Sequence, residues 1–178
     1  MLIERLFARR PAKAAGRALY ASAAGQARSP GLYLAMGVPD TPEGRFELYT
    51  LHVVLVLHRL KGQGEQATET SQVVFDVFVR ALDGALHELG VGYTGVPKRM
   101  KRLGQAFYGR VKSYEAALAA LPSLDELQAV IAATVLAEAP GGDAGALATY
   151  AAEASRLLAA QPLESLLQGR LDWPAVST

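Results

Sequence analysis

Residues 41–61, which read TPEGRFELYTLHVVLVLHRLK, contain the strongest indication of secondary structure in the chain. At its start, the Thr41 hydroxyl can accept a hydrogen bond from a free backbone N–H, and Pro42 suits the first turn of a helix. Glu43 places a carboxylate at the positive end of the helix dipole. The apolar residues that follow do not alternate, and the run is too long for a typical strand, so it predicts a mostly buried helix over residues 44–61.

Helical periodicity continues on both sides of this stretch, and Gly and Pro residues separate the segments. The predicted helices cover about 13–28, 44–61, 68–89, 97–121, 123–139 and 144–160, with a short turn over 162–168. Residues 1–12 are expected to form a flexible basic arm, because Pro11 interrupts a short apolar face. The prediction is an all-α fold, with residues 13–178 as a single-domain helical bundle of about six main helices.

The composition is that of a folded globular protein, with 51% hydrophobic and 20% charged residues among 178. The sequence has no cysteine, which excludes disulfides, thiolate metal sites and thiol catalysis. It shows no run of ~20 apolar residues and no evident signal peptide. We therefore expect a cytoplasmic protein, with a peripheral position at the inner face of the membrane as a further expectation.

Charge is distributed unevenly along the chain. Residues 1–112 contain 16 bases and 9 acids, whereas residues 113–178 contain 2 bases and 8 acids. Six of the bases lie between Lys98 and Lys112, with no acid among them. Such a uniform basic stretch suits an anionic lipid surface, a nucleic acid or an acidic protein surface. Pairing with the acidic C-terminal part is the alternative that requires no partner.

Patterns that would indicate catalysis or metal binding are weak. The string from Gly90 to Gly95 matches G-x-G-x-x-G, but a predicted helix precedes it where a dinucleotide site needs a strand. The histidines His52, His58 and His87 lack the spacing of metal ligands. The serines fit no nucleophile-elbow pattern. We therefore predict no catalytic residue, no cofactor and no metal site.

Several short motifs, taken in order, carry a resemblance to a known family. They are Tyr20 through Arg28, Gly37-Val-Pro-Asp-Thr41, Gly44-Arg-Phe-Glu47, Leu51-His52, Gly90-Val-Gly92, Lys98 to Lys101, and Phe107-Tyr-Gly-Arg110. With this order and spacing, the chain resembles the ubiquinol–cytochrome c chaperone family from about Tyr20 to Leu121. Tyr93 departs from the family pattern, and the Ala-rich acidic segment after Leu121 lies outside the resemblance.

The resemblance implies a non-catalytic helical chaperone that binds newly made cytochrome b during biogenesis of the ubiquinol–cytochrome c reductase, in a family whose mitochondrial members also work near the ribosome with a small partner. The basic stretch itself would favour anionic lipid or ribosomal RNA close to where the client emerges. A helical bundle can offer an apolar groove to such a client. We expect Phe46, Leu51 and Met100 to line or support the groove, and Lys98, Arg99, Lys101, Arg102 and Arg110 to supply its electrostatics. A binding module for anionic membrane or RNA, using the basic helix after Pro97, is the alternative function. A helical enzyme with an anionic substrate is a third.

Overall fold

The computed structural model describes residues 2–88, 90 and 95–177, and for residues 2–10 the backbone alone. The helices are α1 (Leu2–Gln26), α2 (Pro30–Leu34), α3 (Pro42–Leu60), α4 (Glu65–Glu88), α5 (Val96–Ala119), α6 (Asp125–Ala133), α7 (Ala144–Ala160) and α8 (Leu163–Leu167). Across the described ranges there is no strand, and six helices have nine or more residues. The predicted all-α bundle of about six main helices is confirmed.

Helix α3 lies at the centre of the bundle and packs against α1, α4, α5 and α7. Its first turn forms as predicted, with Pro42 in place and the Gly44 N–H donating to the Thr41 hydroxyl over 3.1 Å. Side chains such as Leu48 and Leu55 are at most 2% exposed. Because neighbouring helices cover α3 on several sides, its apolar residues need not follow a single stripe.

Helix α1 begins at Leu2, earlier than the predicted start at residue 13, and Pro11 lies inside it. A proline can be accommodated within a helix when one backbone hydrogen bond is given up. Farther along, α1 packs closely on α4, and a Cβ added at Gly16 would come within 2.6 Å of the Val73 side chain. The side chains of residues 2–10 lie outside the described part, and the flexibility of residues 1–12 stays a prediction.

Helix α6 ends at Ala133, six residues before the predicted end. Thr134 leaves the helical conformation, and its hydroxyl donates to the Val130 carbonyl over 2.7 Å. The turns that follow bury Val135 and Leu136 in the core. Helix propensity alone would extend α6 through these residues. Burying the two side chains in the core favours turns instead, and local propensity does not predict that packing.

His52 is fully buried on α3 and makes two hydrogen bonds. Its Nδ1 lies 2.8 Å from the Leu48 carbonyl, and its Nε2 lies 2.7 Å from the Tyr150 hydroxyl on α7. A carbonyl can only accept, so Nδ1 carries the proton and Nε2 accepts from Tyr150. Burial lowers the pKa of His52 to about 4.

The C-terminal segment after α8 returns across α1 and joins the same network. The Trp173 indole N–H donates to the Ser22 hydroxyl over 3.1 Å, and the ring meets the edge of His52 with centroids 5.2 Å apart. Gln26 donates to the Pro174 carbonyl and the Tyr150 hydroxyl, each over 3.0 Å. The network therefore ties α1, α3, α7 and the C-terminal segment together on one side of the bundle.

Candidate functional site

A groove of ≈ 1050 Å³ opens between the start of α3, the last turns of α4 and the first turns of α5. Its apolar lining comes from Pro42, Phe46, Ala81, Leu82, Ala85, Leu86, Leu103 and Ala106. Its charged lining comes from Arg28, Asp40, Glu43, Arg45, Glu47, Glu88, Arg99 and Arg102. An apolar interior with charges of both signs is the lining expected of a site that binds an amphipathic segment.

Small residues on one face of α4 keep the groove open. Ala81, Gly84, Ala85 and Glu88 follow the i, i+3, i+4, i+7 spacing of one helical side, and all four line the groove. A Cβ added at Gly84 would meet no atom within 4 Å. The sequence pattern could have indicated this wall, because Ala81, Gly84 and Ala85 place three small residues on one side of the helix.

Beneath the groove lies a connected group of aromatic rings. The Phe46 and Phe78 rings are stacked with centroids 6.4 Å apart, and Phe78 contacts Phe107 at 5.3 Å. Tyr20 from α1 reaches the same Phe78 at 6.4 Å. Burial raises the pKa of Tyr20 above its ordinary value, so its hydroxyl stays protonated at neutral pH. These rings give the groove a rigid apolar base built from four helices.

Glu47 and Arg110 form the main ion pair of the site. The Arg110 guanidinium donates to both carboxylate oxygens of Glu47, each over 2.9 Å, and so joins α3 to α5. The Glu47 side chain is 11% exposed and that of Arg110 is 30% exposed. The hydrogen bonds that Arg110 donates to Glu47 raise the pKa of Arg110. A bidentate pair of this kind fixes orientation as well as contributing energy.

A second ion pair lies at the mouth of the groove. The Arg45 Nε donates to the Asp40 carboxylate over 2.6 Å. This hydrogen bond lowers the pKa of Asp40. Nearby, the Arg28 Nε donates to the Tyr49 hydroxyl over 2.7 Å. Both contacts are exposed, so they order the rim more than they stabilise the fold.

The structure brings some of the predicted binding residues together and separates others. Phe46, Arg99 and Arg102 line the groove. Leu51 is 1% exposed and lies in the core, so it can support the groove but does not form its surface. Lys98 and Lys101 are exposed on α5 outside the lining, Met100 is half-buried, and Arg110 is bound to Glu47. The participation of these eight residues in partner binding stays a prediction.

The acidic C-terminal part does little to neutralise the basic part. Among the residues that the structure describes, one ion pair joins residues 1–112 to residues 113–178, between Lys61 and Glu115 at 2.8 Å. Neither partner belongs to the basic stretch from Lys98 to Lys112. In the described part of the chain, the acidic C-terminal residues therefore form no ion pair with the basic residues of α5.

Two properties of the described residues bear on the type of site. Within them, no group of three or more His, Cys, Asp or Glu side chains is placed to hold a metal ion. No helix that they form combines the length and apolarity needed to cross a membrane. Most of the Gly90–Gly95 string lies outside the described residues, so the prediction of a helix–helix loop there stays a prediction.

Fold and groove together define the class: an all-α protein that presents an amphipathic groove between helices. The chain belongs to the ubiquinol–cytochrome c chaperone family, because residues 34–173 match the model of that family. The match continues well beyond Leu121, so the acidic C-terminal segment is part of the family domain, contrary to the narrower range of the sequence resemblance.

A solved structure supports the same assignment. The crystal structure of the Cbp3 homolog from Brucella abortus is similar to this chain at 35% sequence identity and a TM-score of 0.86. The similarity covers 98% of this chain and 97% of that one. The comparison with curated proteins gave no match.

Proposed function

We propose that this chain is a non-catalytic assembly chaperone that binds cytochrome b during biogenesis of the ubiquinol–cytochrome c reductase, and that it holds this client in the groove. Membership of the ubiquinol–cytochrome c chaperone family supports a role in assembly. The observation that supports binding at this place is the groove itself, open to solvent above a base of aromatic rings.

The dimensions and lining of the groove suit a helical segment of a membrane protein. An α-helix is about 10–12 Å across with its side chains, so a groove of ≈ 1050 Å³ can accept part of one helical face. Before assembly, such a client exposes apolar helix surface that would otherwise aggregate. Phe46, Leu82 and Leu103 provide apolar contact, while Arg99, Arg102 and Glu88 can set the register of a bound segment.

The electrostatics of the groove support binding without catalysis. General acid–base chemistry needs a group whose pKa lies near the working pH. In the groove, Asp40 is bonded to Arg45 and its pKa is lowered, so it stays ionised at neutral pH. Glu47 has both carboxylate oxygens bonded to Arg110. These acids are engaged in positioning helices and the rim, a structural use of charge.

Filling the groove tests the proposal. Ala85 is exposed on the α4 wall, so Ala85→Trp should occupy the groove without disturbing the core. We expect recovery of cytochrome b with the tagged chaperone to fall at least about tenfold, because the client loses its apolar contact. The measurement is co-purification of cytochrome b from cells that carry the variant as their sole copy.

The matched control is Ala129→Trp, which places the same side chain at an exposed alanine on α6, away from the groove lining. This variant should recover cytochrome b as the parent chain does. Equal recovery with Ala85→Trp and the parent, when both have the same melting temperature, would place the client elsewhere on the protein.

A further inference from the structure

The outer face of α5 is a single stripe of exposed residues that faces away from the bundle. We define the outer face as Lys98, Lys101, Gln105, Tyr108 and Lys112, all of which are exposed. Their spacing of three and four residues keeps them on one side of the helix over about 21 Å. Phe107, Tyr114 and Leu118 form the opposite, buried side.

Within the described part of the chain, the three lysines of the outer face form no ion pair. The ion pairs in the described part of the chain involve Arg45, Lys61 and Arg110 as cations, His87 lies 3.7 Å from Asp83, and none of these contacts involves Lys98, Lys101 or Lys112. No Asp or Glu occurs in the sequence from Val96 to Tyr114. A solvated helix face ordinarily mixes charge signs, so this stripe projects a uniform positive potential.

An exposed aromatic ring lies within this positive stripe. Tyr108 is 66% exposed, although large apolar and aromatic side chains in the described residues are otherwise mostly covered, Leu34 excepted. Its ring contacts Phe75 and Phe107, each with centroids 6.1 Å apart, and these contacts hold it at the helix surface. A tyrosine with one apolar side and a polar hydroxyl is suited to the headgroup level of a membrane.

We propose that the outer face of α5 docks this protein on an anionic phospholipid surface. Lysines at a membrane surface contribute about 1 kcal/mol each through the negative potential of the leaflet, and the Tyr108 ring adds interfacial contact. The shape of the face favours lipid over RNA, because it is the convex side of one helix with a single exposed ring. Single-stranded RNA requires a groove that follows the strand and several aromatic rings on which its bases stack.

Docking in this way would bring the groove close to the membrane. Arg99 and Arg102 lie on α5 within one turn of Lys98 and Lys101, and both line the groove. The groove lining and the outer face therefore share the first turns of one helix. A client that leaves the bilayer beside the docked helix would meet the groove at short range.

The test uses the purified full chain and vesicles, with no client present. The variant Lys98→Glu/Lys101→Glu/Lys112→Glu reverses the outer face and leaves the groove lining unchanged. Its matched control is Arg17→Glu/Arg80→Glu/Arg156→Glu, which makes the same change in net charge at exposed sites on α1, α4 and α7. Flotation is measured with phosphatidylcholine vesicles, alone or with about one third phosphatidylglycerol.

We expect the parent chain to float with the anionic vesicles and not with pure phosphatidylcholine vesicles. It should be released as the salt concentration rises, because exposed charges are screened. Reversing the outer face should weaken partitioning about a hundredfold or more, at roughly fivefold for each lysine. The matched control should lose far less, and Tyr108→Ser should have a smaller effect than the charge reversal.

Three outcomes would overturn the proposal. The parent chain could fail to float with anionic vesicles, the two triple variants could bind those vesicles equally, or the outer face could bind RNA at physiological salt while vesicles are ignored. Since the assay contains no cytochrome b, its result is separate from that of the groove experiment. If the protein recovers cytochrome b but does not bind vesicles, the proposed chaperone function stands and the membrane-docking proposal is rejected.

Discussion

Two polar networks connect α3 to neighbouring helices, and one contains an ion pair whereas the other is uncharged. Glu47 on one side bonds to Arg110 as an ion pair beneath the groove. His52, about 140° farther around the helix, bonds as a neutral ring to Leu48 and Tyr150. The first network joins α3 to the helix of the outer face, and the second joins it to α7 and the C-terminal segment. Helix α3 is therefore joined to its neighbours by an ion pair on the groove side and by hydrogen bonds of a neutral ring on the other side.

The difference follows from burial. His52 is fully buried, where an isolated charge would be strongly disfavoured, and its pKa falls to about 4. Arg110 keeps partial contact with solvent, so its charge and that of Glu47 are tolerated with a modest desolvation cost. The two networks should respond differently to acid and to the removal of one partner, which the following predictions use.

Acidification should produce the largest effect, on the His52 side. The folded pKa of about 4 lies below the ordinary value of 6.5, so the unfolded chain binds more protons between these two values. The free energy of unfolding should therefore fall as the pH drops through this window, by about 3 kcal/mol in total. Urea unfolding at about pH 7 and about pH 4.5 measures the change.

His52→Gln is the control for this pH effect, because the amide can hydrogen-bond but does not titrate in this range. The variant should be less stable at neutral pH and should lose stability less steeply on acidification. Parallel pH profiles for the variant and the parent would show that other groups, such as carboxylates, cause the acid sensitivity.

Removing one partner of the ion pair should have the next largest effect, on the groove side. Glu47→Leu leaves Arg110 partly buried without its carboxylate, and we expect a loss of about 2–3 kcal/mol after allowance for the exposed part of Arg110. Chemical denaturation at neutral pH gives the value. Because the pair orients α5 against α3, recovery of cytochrome b should also decline.

The double variant Glu47→Leu/Arg110→Leu distinguishes the loss of attraction from the cost of an unpaired charge. It should regain most of the stability lost in Glu47→Leu, since no buried charge is left without a partner. If the double variant is as unstable as the sum of the single variants, the pair does not act as a unit.

The smallest effect is expected at the mouth of the groove. Asp40→Ala removes an exposed pair with Arg45, and we expect the melting temperature to change very little. Exposed ion pairs are screened by salt, so any effect should vanish at high ionic strength. A large loss of stability in this variant would show that the pair orders the start of α3.

Much of the fold could be predicted because it depends on local chemistry. The cap at Thr41 and the start of α3 need residues within one helical turn, and both were predicted correctly. The predicted end of α6 was wrong, because Val135 and Leu136 are buried in a turn rather than in a helix. That outcome depends on the surrounding helices, which no local pattern contains.

The candidate site shows the same division. The groove includes Phe46, Arg99 and Arg102, which sequence motifs pointed to. The sequence did not pair Glu47 with Arg110, because the two lie 63 positions apart and meet when α3 and α5 pack. The Ala81–Ala85 wall was also missed, although its small residues fall on one helical side.

Local sequence patterns were enough to predict a helical protein, the start of α3, and a helix with a uniform run of positive charge. Capping, apolar spacing and charge order act between near neighbours, so they can be read along the chain. The packing of the helices sets which polar groups are buried, which find partners, and which helices leave a groove between them. Those properties arise when distant segments exclude water from one another, and the position of Leu51 in the core rather than at the groove surface is one result.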